Sequence, residues 1–157
     1  MTERAELLEA LHHTDPNIRR RAARALDHLP LDEQTVEALI ALARRETIPA
    51  VRSAAVHVLG CEGCKSEACV TSHDIVGFLI DTLRNDVSAD VRRQTIEGLR
   101  SSVREPRVQA ALGDALNDPA FKIRWKAACV ILPFEEREAM RVARQQQRAA
   151  RRVRAST

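Results

Sequence analysis

Tyrosine is absent from the chain, tryptophan occurs once and phenylalanine three times. A core with so few rings has to be built from Leu, Val, Ile and Ala, the side chains of helix-on-helix packing. Lysine is scarce as well: Lys65, Lys122 and Lys126 are the only three among 25 basic residues, and the rest are arginine. The longest apolar runs are pieces such as AACVIL, far short of the ~20 residues that cross a bilayer, so no membrane partner is expected. The start, MTERAELLEALHH, is acidic and amphipathic rather than a basic leader followed by an apolar stretch, so no export signal is expected. A cytoplasmic location is the reading that follows, and stable disulfides are rare there. Glycine-rich phosphate loops, nucleophile elbows and paired-carboxylate signatures are also missing, which points to a protein that is not an enzyme.

What is present is a 157-residue chain, 45% hydrophobic and 30% charged. Such a chain fits one folded domain burying roughly 70% of its extended surface. Its charge is uneven. From Arg137 to Thr157 there are seven arginines and one glutamate, a local +6, which leaves −3 on the remainder of a chain whose total is +3.

Four segments share a pattern: DPNIRRRAARAL, IPAVRSAAVHVL, VSADVRRQTIEGL and DPAFKIRWKAACVIL. Each carries an Ile or Val followed by Arg, then small or apolar residues at helical spacing. The pairs are Ile18-Arg19, Val51-Arg52, Val91-Arg92 and Ile123-Arg124, separated by 33, 40 and 32 residues. Pro16, Pro49 and Pro119 suit a first helical turn, and Asp15, Asp86 and Asp118 suit the caps before it. Between them lie second helices with apolar residues at i, i+3, i+4 and i+7, as in Val36, Leu39, Ile40 and Ala43.

These units resemble HEAT repeats, especially the short bacterial type first named from phycobilin lyase subunits. The resemblance covers about residues 15–134, with Thr2–His12 as a half-repeat cap. It implies an all-α fold, a right-handed α-solenoid of about four helix pairs and roughly nine helices, spanning 1–134 and followed by a basic helix or tail at 135–157. It also implies that Arg19, Arg52, Arg92 and Arg124 pair with acidic groups between repeats; a ladder of cationic ligand contacts is the alternative. One helix pair cannot bury its apolar side alone, so neighbours stack into a curved array.

The 40-residue separation exceeds its neighbours by seven or eight residues. The excess falls in a cysteine-rich loop at 60–73, where Cys61, Cys64 and Cys69 are followed by His73. Three thiolates and an imidazole make one of the usual tetrahedral zinc shells. His57, four residues before Cys61, is the alternative fourth ligand. Gly63 eases the tight turn between the first two cysteines, and Lys65 favours their ionised form. Thr71 or Ser72 is expected to cap the next helix, with His73 in its first turn. Zn2+ with a structural role is the leading reading; an iron–sulfur cluster, a redox or disulfide pair, and free thiols stay open beside it. Cys129 is expected in the core.

Relatives of this type include scaffolds, lyase subunits, DNA-repair glycosylases and a di-iron hydroxylase. The glycosylase reading meets only Trp125 as a large amphipathic aromatic, and no His-Glu pair is present for di-iron binding. The leading reading is a non-catalytic adaptor binding another protein on its concave face. The alternatives are a nucleic-acid-associated protein using Arg144, Arg148, Arg151, Arg152 and Arg154, and a lyase-like enzyme or regulatory subunit. Ala139, Val142, Ala149 and Val153 are expected to give the tail helix an apolar stripe that partly caps the last repeat.

Overall fold

A computed structural model describes residues 2–61 and 71–155. Cys64 and Cys69 therefore lie outside the described residues. Those described contain nine α-helices and no strand. The helices are α1 (Glu3–Ala10), α2 (Pro16–Ala25), α3 (Glu33–Arg45), α4 (Pro49–Gly60), α5 (Ile75–Asn85), α6 (Ala89–Gly98), α7 (Pro106–Ala115), α8 (Phe121–Ile131) and α9 (Phe134–Ala155), with a 3-10 turn at Leu26–His28 after α2.

The chain is an α-solenoid. Helices α2, α4, α6 and α8 pack successively in one layer, and α3, α5 and α7 each lie against the first-layer helix that follows. Both layers are amphipathic because their apolar residues recur at helical spacing. Val36, Leu39, Leu42 on α3 and Val51, Ala55, Val58 on α4 are almost wholly buried. Small residues let the first layer close up: Ala22-Ala23, Ala54-Ala55 and Ala127-Ala128 are all buried. Thr95 takes the equivalent place on α6, where its hydroxyl donates to Val91 O at 2.9 Å and so carries no unmet polar group inward.

Helices α4 and α6 approach closely at a pair of glycines. A Cβ built on Gly60 would stand 2.4 Å from the Gly98 Cα, and one on Gly98 would stand 3.0 Å from the Gly60 Cα. Gly60 is thus the last residue of α4 without adopting a left-handed backbone; what it provides is room for a crossing helix.

Several expectations need correction. Pro119 precedes α8, which begins at Phe121 with Ala120 as its cap. Cys129 is exposed, because Ile123, Ala127 and Ala128 face the core and the helical rotation carries residue 129 past that stripe. No residue of α9 is buried. Ala139 and Ala149 are exposed, as are Val142 and Val153, so the apolar stripe caps nothing. Contact with α8 is made instead by Arg144, whose Cζ lies 3.5 Å from the Phe121 ring centroid. Among the described residues, no helix is long and apolar enough to cross a membrane.

Candidate functional site

The first-layer arginines form a ladder along the repeats. Arg19 on α2 donates to both Glu46 carboxylate oxygens at 2.7 and 3.0 Å. Arg52 on α4 does the same to Asp86 at 2.8 and 2.9 Å, and Arg92 on α6 to Asp118 at 2.7 and 2.9 Å. Each carboxylate sits just before the next first-layer helix and accepts the backbone N–H two residues on, from Ile48, Ser88 and Ala120 respectively. Each arginine also donates to a carbonyl of its own preceding loop, as Arg52 does to Glu46 O and Thr47 O. Arg124 at the end of the series donates to Asp118 O and Pro119 O. Hydrogen bonds from Arg19, more than any other influence, hold the Glu46 carboxyl below its ordinary range. At Asp118 burial pushes the other way, but Arg92 and the Ala120 N–H together outweigh it and the carboxyl is again lowered. The fork geometry of guanidinium against carboxylate suits this use of arginine rather than lysine.

The second layer is less closed. Between α3 and α5 an open cleft of about 510 Å³ is lined by Glu37, Ile40, Arg44, Asp74, Phe78 and Asp81, among others, with His73 at its rim. Arg44 lies over the Phe78 ring with its Cζ 5.9 Å from the centroid. Asp74 caps α5 through the Gly77 N–H at 2.9 Å and is clamped by Arg107 of α7 at 2.6 and 2.9 Å. Among the described residues Asp81 accepts a neutral amide, from Asn85 at 2.8 Å. The lining therefore has three carboxylates beside Arg44; Asp74 is already paired with Arg107, which leaves Glu37 and Asp81 to favour a cationic guest with an apolar portion.

Two of the sequence-derived metal candidates, His57 and Cys61, fall together, and the structure adds a residue the sequence reading missed. One ligand atom each from Asp27, His57 and Cys61 lie within 4.8 Å of one another. His57 Nε2 is 3.2 Å from Asp27 Oδ2, and the Gln94 side-chain amide nitrogen is 3.1 Å from His57 Nδ1. Asp27 is 6% exposed, and its Oδ1 is buried without a hydrogen-bond partner among the described residues. Asp27 has no ligand-like spacing to the cysteines. The available signal is the repeat itself, since adding the 33-residue period to Asp27 lands on Gly60, next to Cys61.

His73 stands elsewhere. It precedes the cap residue Asp74 and so lies outside α5, contrary to the first-turn expectation, and neither Thr71 nor Ser72 is that cap. Its Nε2 is 3.5 Å from Glu33 Oε1. Glu33 also accepts the Ser72 N–H at 2.8 Å, and hydrogen bonds from Ser72 above all draw its carboxyl down to about 2. This contact ties the segment entering α5 to the start of α3, beside the cleft. Among the tail candidates, Arg148, Arg151, Arg152 and Arg154 are on exposed turns of α9, whereas Arg144 is half-buried on Phe121.

Residues 4–68, covering α1 to α4, match the family model for HEAT repeats. No curated protein matches the chain.

Proposed function

We propose that the chain is a non-catalytic scaffold that holds a basic segment of another protein in the cleft between α3 and α5. HEAT repeats commonly serve as protein-interaction scaffolds, and the ladder of buried arginine forks gives this one a rigid frame. The observation that carries the reading is the cleft itself: Glu37 and Asp81 line it with Arg44, beside the Arg107-paired Asp74, and the Phe78 ring is available for an apolar anchor. An acidic groove repels a polyphosphate backbone, so it favours a protein guest over nucleic acid. Peptide display against the immobilised full chain tests this. Selected peptides should be enriched in Lys and Arg and should lose at least tenfold in affinity against Asp81→Lys. Selection without a basic consensus, or binding indifferent to that reversal, contradicts it.

The same proposal includes a structural zinc ion at the α4–α5 insertion, held by Cys61, Cys64, Cys69 and His73, or by His57 in place of His73. A tetrahedral thiolate-rich shell would order a loop that has few apolar residues to bury. Cys64→Ser should lower both zinc content and melting temperature; a wild type without zinc contradicts this part.

A second reading rests on α9, where Arg148, Arg151, Arg152 and Arg154 sit on a helix that buries none of its residues. Here the expected result is nucleic-acid binding that falls steeply with salt and disappears on deletion of 144–157.

A further inference from the structure

We propose that Asp27, His57 and Cys61 form a zinc-binding site that staples the first repeat to the second, with Gln94 of α6 orienting the imidazole. The inference is the alternative to the zinc reading above, since both claim Cys61 for one ion; it stands on described residues and brings in a ligand from the preceding repeat.

Its starting point is a carboxylate in the wrong surroundings. Asp27 sits in the 3-10 turn after α2, 6% exposed, with Oδ1 buried and unpartnered among the described residues. A carboxylate at such a place has lost its water on that side, and leaving one oxygen unsatisfied costs ~1–3 kcal/mol or more for a charged group. The fold tolerates it beside the two side chains most suited to share a borderline cation with a carboxylate. An Asp oxygen, a His nitrogen and a Cys sulfur all occur as ligands of Zn2+, whereas Mg2+ and Ca2+ demand all-oxygen shells.

Geometry agrees with this use. Tetrahedral zinc with bonds of about 2.0–2.3 Å requires donor atoms roughly 3.3–3.8 Å apart. The His57 and Asp27 atoms are 3.2 Å apart, and the Cys61 sulfur falls inside the 4.8 Å group, so closure requires movement of about an ångström. Cys61 is the first residue past α4, held in place because Gly60 is pressed against Gly98 of α6. Asp27 is buried while His57 and Cys61 are half-buried, which gives the ion a path from solvent.

Gln94 supplies the outer support that a metal-bound histidine normally has. Its amide nitrogen lies 3.1 Å from Nδ1, while Nε2 faces Asp27 at 3.2 Å. Zinc at Nε2 requires the ring proton on Nδ1, and the Gln94 side chain then presents its amide oxygen to accept it. The thiol proton of Cys61 leaves to solvent, and Asp27 binds as the carboxylate. Three protein donors leave one coordination position for a further ligand.

Zinc titration of the full chain against a chromophoric chelator tests the site, comparing wild type, Asp27→Asn and the Cys64→Ser/Cys69→Ser pair. The expected result is one zinc per wild-type chain, at least tenfold weaker binding in Asp27→Asn, and retained binding in the cysteine pair. Wild-type affinity in Asp27→Asn overturns the inference and leaves the cysteine shell standing. Loss in the cysteine pair with no effect of Asp27→Asn does the same. No zinc in the wild type overturns both. A measurement on the wild type guards against a variant that fails to fold: with zinc added, 15N spectra should show the His57 proton on Nδ1 and a metal-shifted Nε2. A ring whose Nε2 resonance does not respond to zinc also overturns the inference.

Discussion

At the Arg19, Arg52 and Arg92 rungs of the ladder a largely withdrawn guanidinium meets a fixed carboxylate and a loop carbonyl at once. Arg52 is 8% exposed, and its partner Asp86 has a side chain equally withdrawn from water. Arg52→Ala would leave that carboxylate buried without its cation, and such a loss costs about 3–5 kcal/mol. Arg84→Ala breaks a bond to Asp114 that is open to solvent, and exposed pairs contribute less than about 1 kcal/mol. Urea denaturation of the two variants should separate them clearly. The ladder also sets a pH dependence. Glu46 is held below its ordinary value of 4.5 in the folded state, so the folded chain binds its proton less readily than the unfolded one. Its stabilising contribution is complete above that ordinary value and is lost as pH falls through the lower, folded value. Melting temperatures measured between pH 7 and pH 3 should therefore decline less in Glu46→Gln than in wild type. The arginines could be picked out in the sequence because an Ile/Val-Arg pair recurs at a near-constant period. Asp27 could not, because it acts only through a neighbour one repeat away, and no local motif surrounds it.

Among the elements, α4 and α6 bring their backbones close together at Gly60 and Gly98. Gly98→Ala pushes a methyl toward the Gly60 backbone, which cannot yield as a flexible side chain would. Overpacking of this kind costs about 1–3 kcal/mol, and it should also displace Cys61, the next residue. Gly113 on α7 offers the contrast, since a Cβ there meets nothing within 4 Å. Gly113→Ala should stabilise by about 0.5–1 kcal/mol through helix propensity. Thermal or urea melts of the two variants should move in opposite directions. Helix periodicity in the sequence anticipated the order of the nine helices among the described residues. It could not show Gly60 and Gly98 in contact, because that depends on how two helices cross. The exposure of Cys129 was missed for a related reason: an apolar run such as AACVIL does not say which face finds a partner, and α8 buries only the Ile123, Ala127, Ala128 side. The same holds for α9, whose valines point to water while an arginine makes the contact.

Across the whole molecule, the first layer is closed by small residues and arginine forks, and the second opens between α3 and α5. Rigidity and access are thus assigned to different helices. Ser72 and His73, just before α5, are both bound to Glu33 at the start of α3, so these contacts should bear on the shape of the cleft. The recurrent units made the scaffold architecture readable from the sequence. The acidity of the cleft was not, since Glu37, Asp74 and Asp81 belong to two helices and carry no common motif. The most direct test is photo-crosslinking in cells from a benzophenone amino acid placed at Ala41, on the cleft, with Gln146 on α9 as the comparison site. A discrete protein adduct from position 41 that disappears when Asp81→Lys is added is the expected result. Adducts to nucleic acid from position 146, with none to protein from position 41, would contradict it.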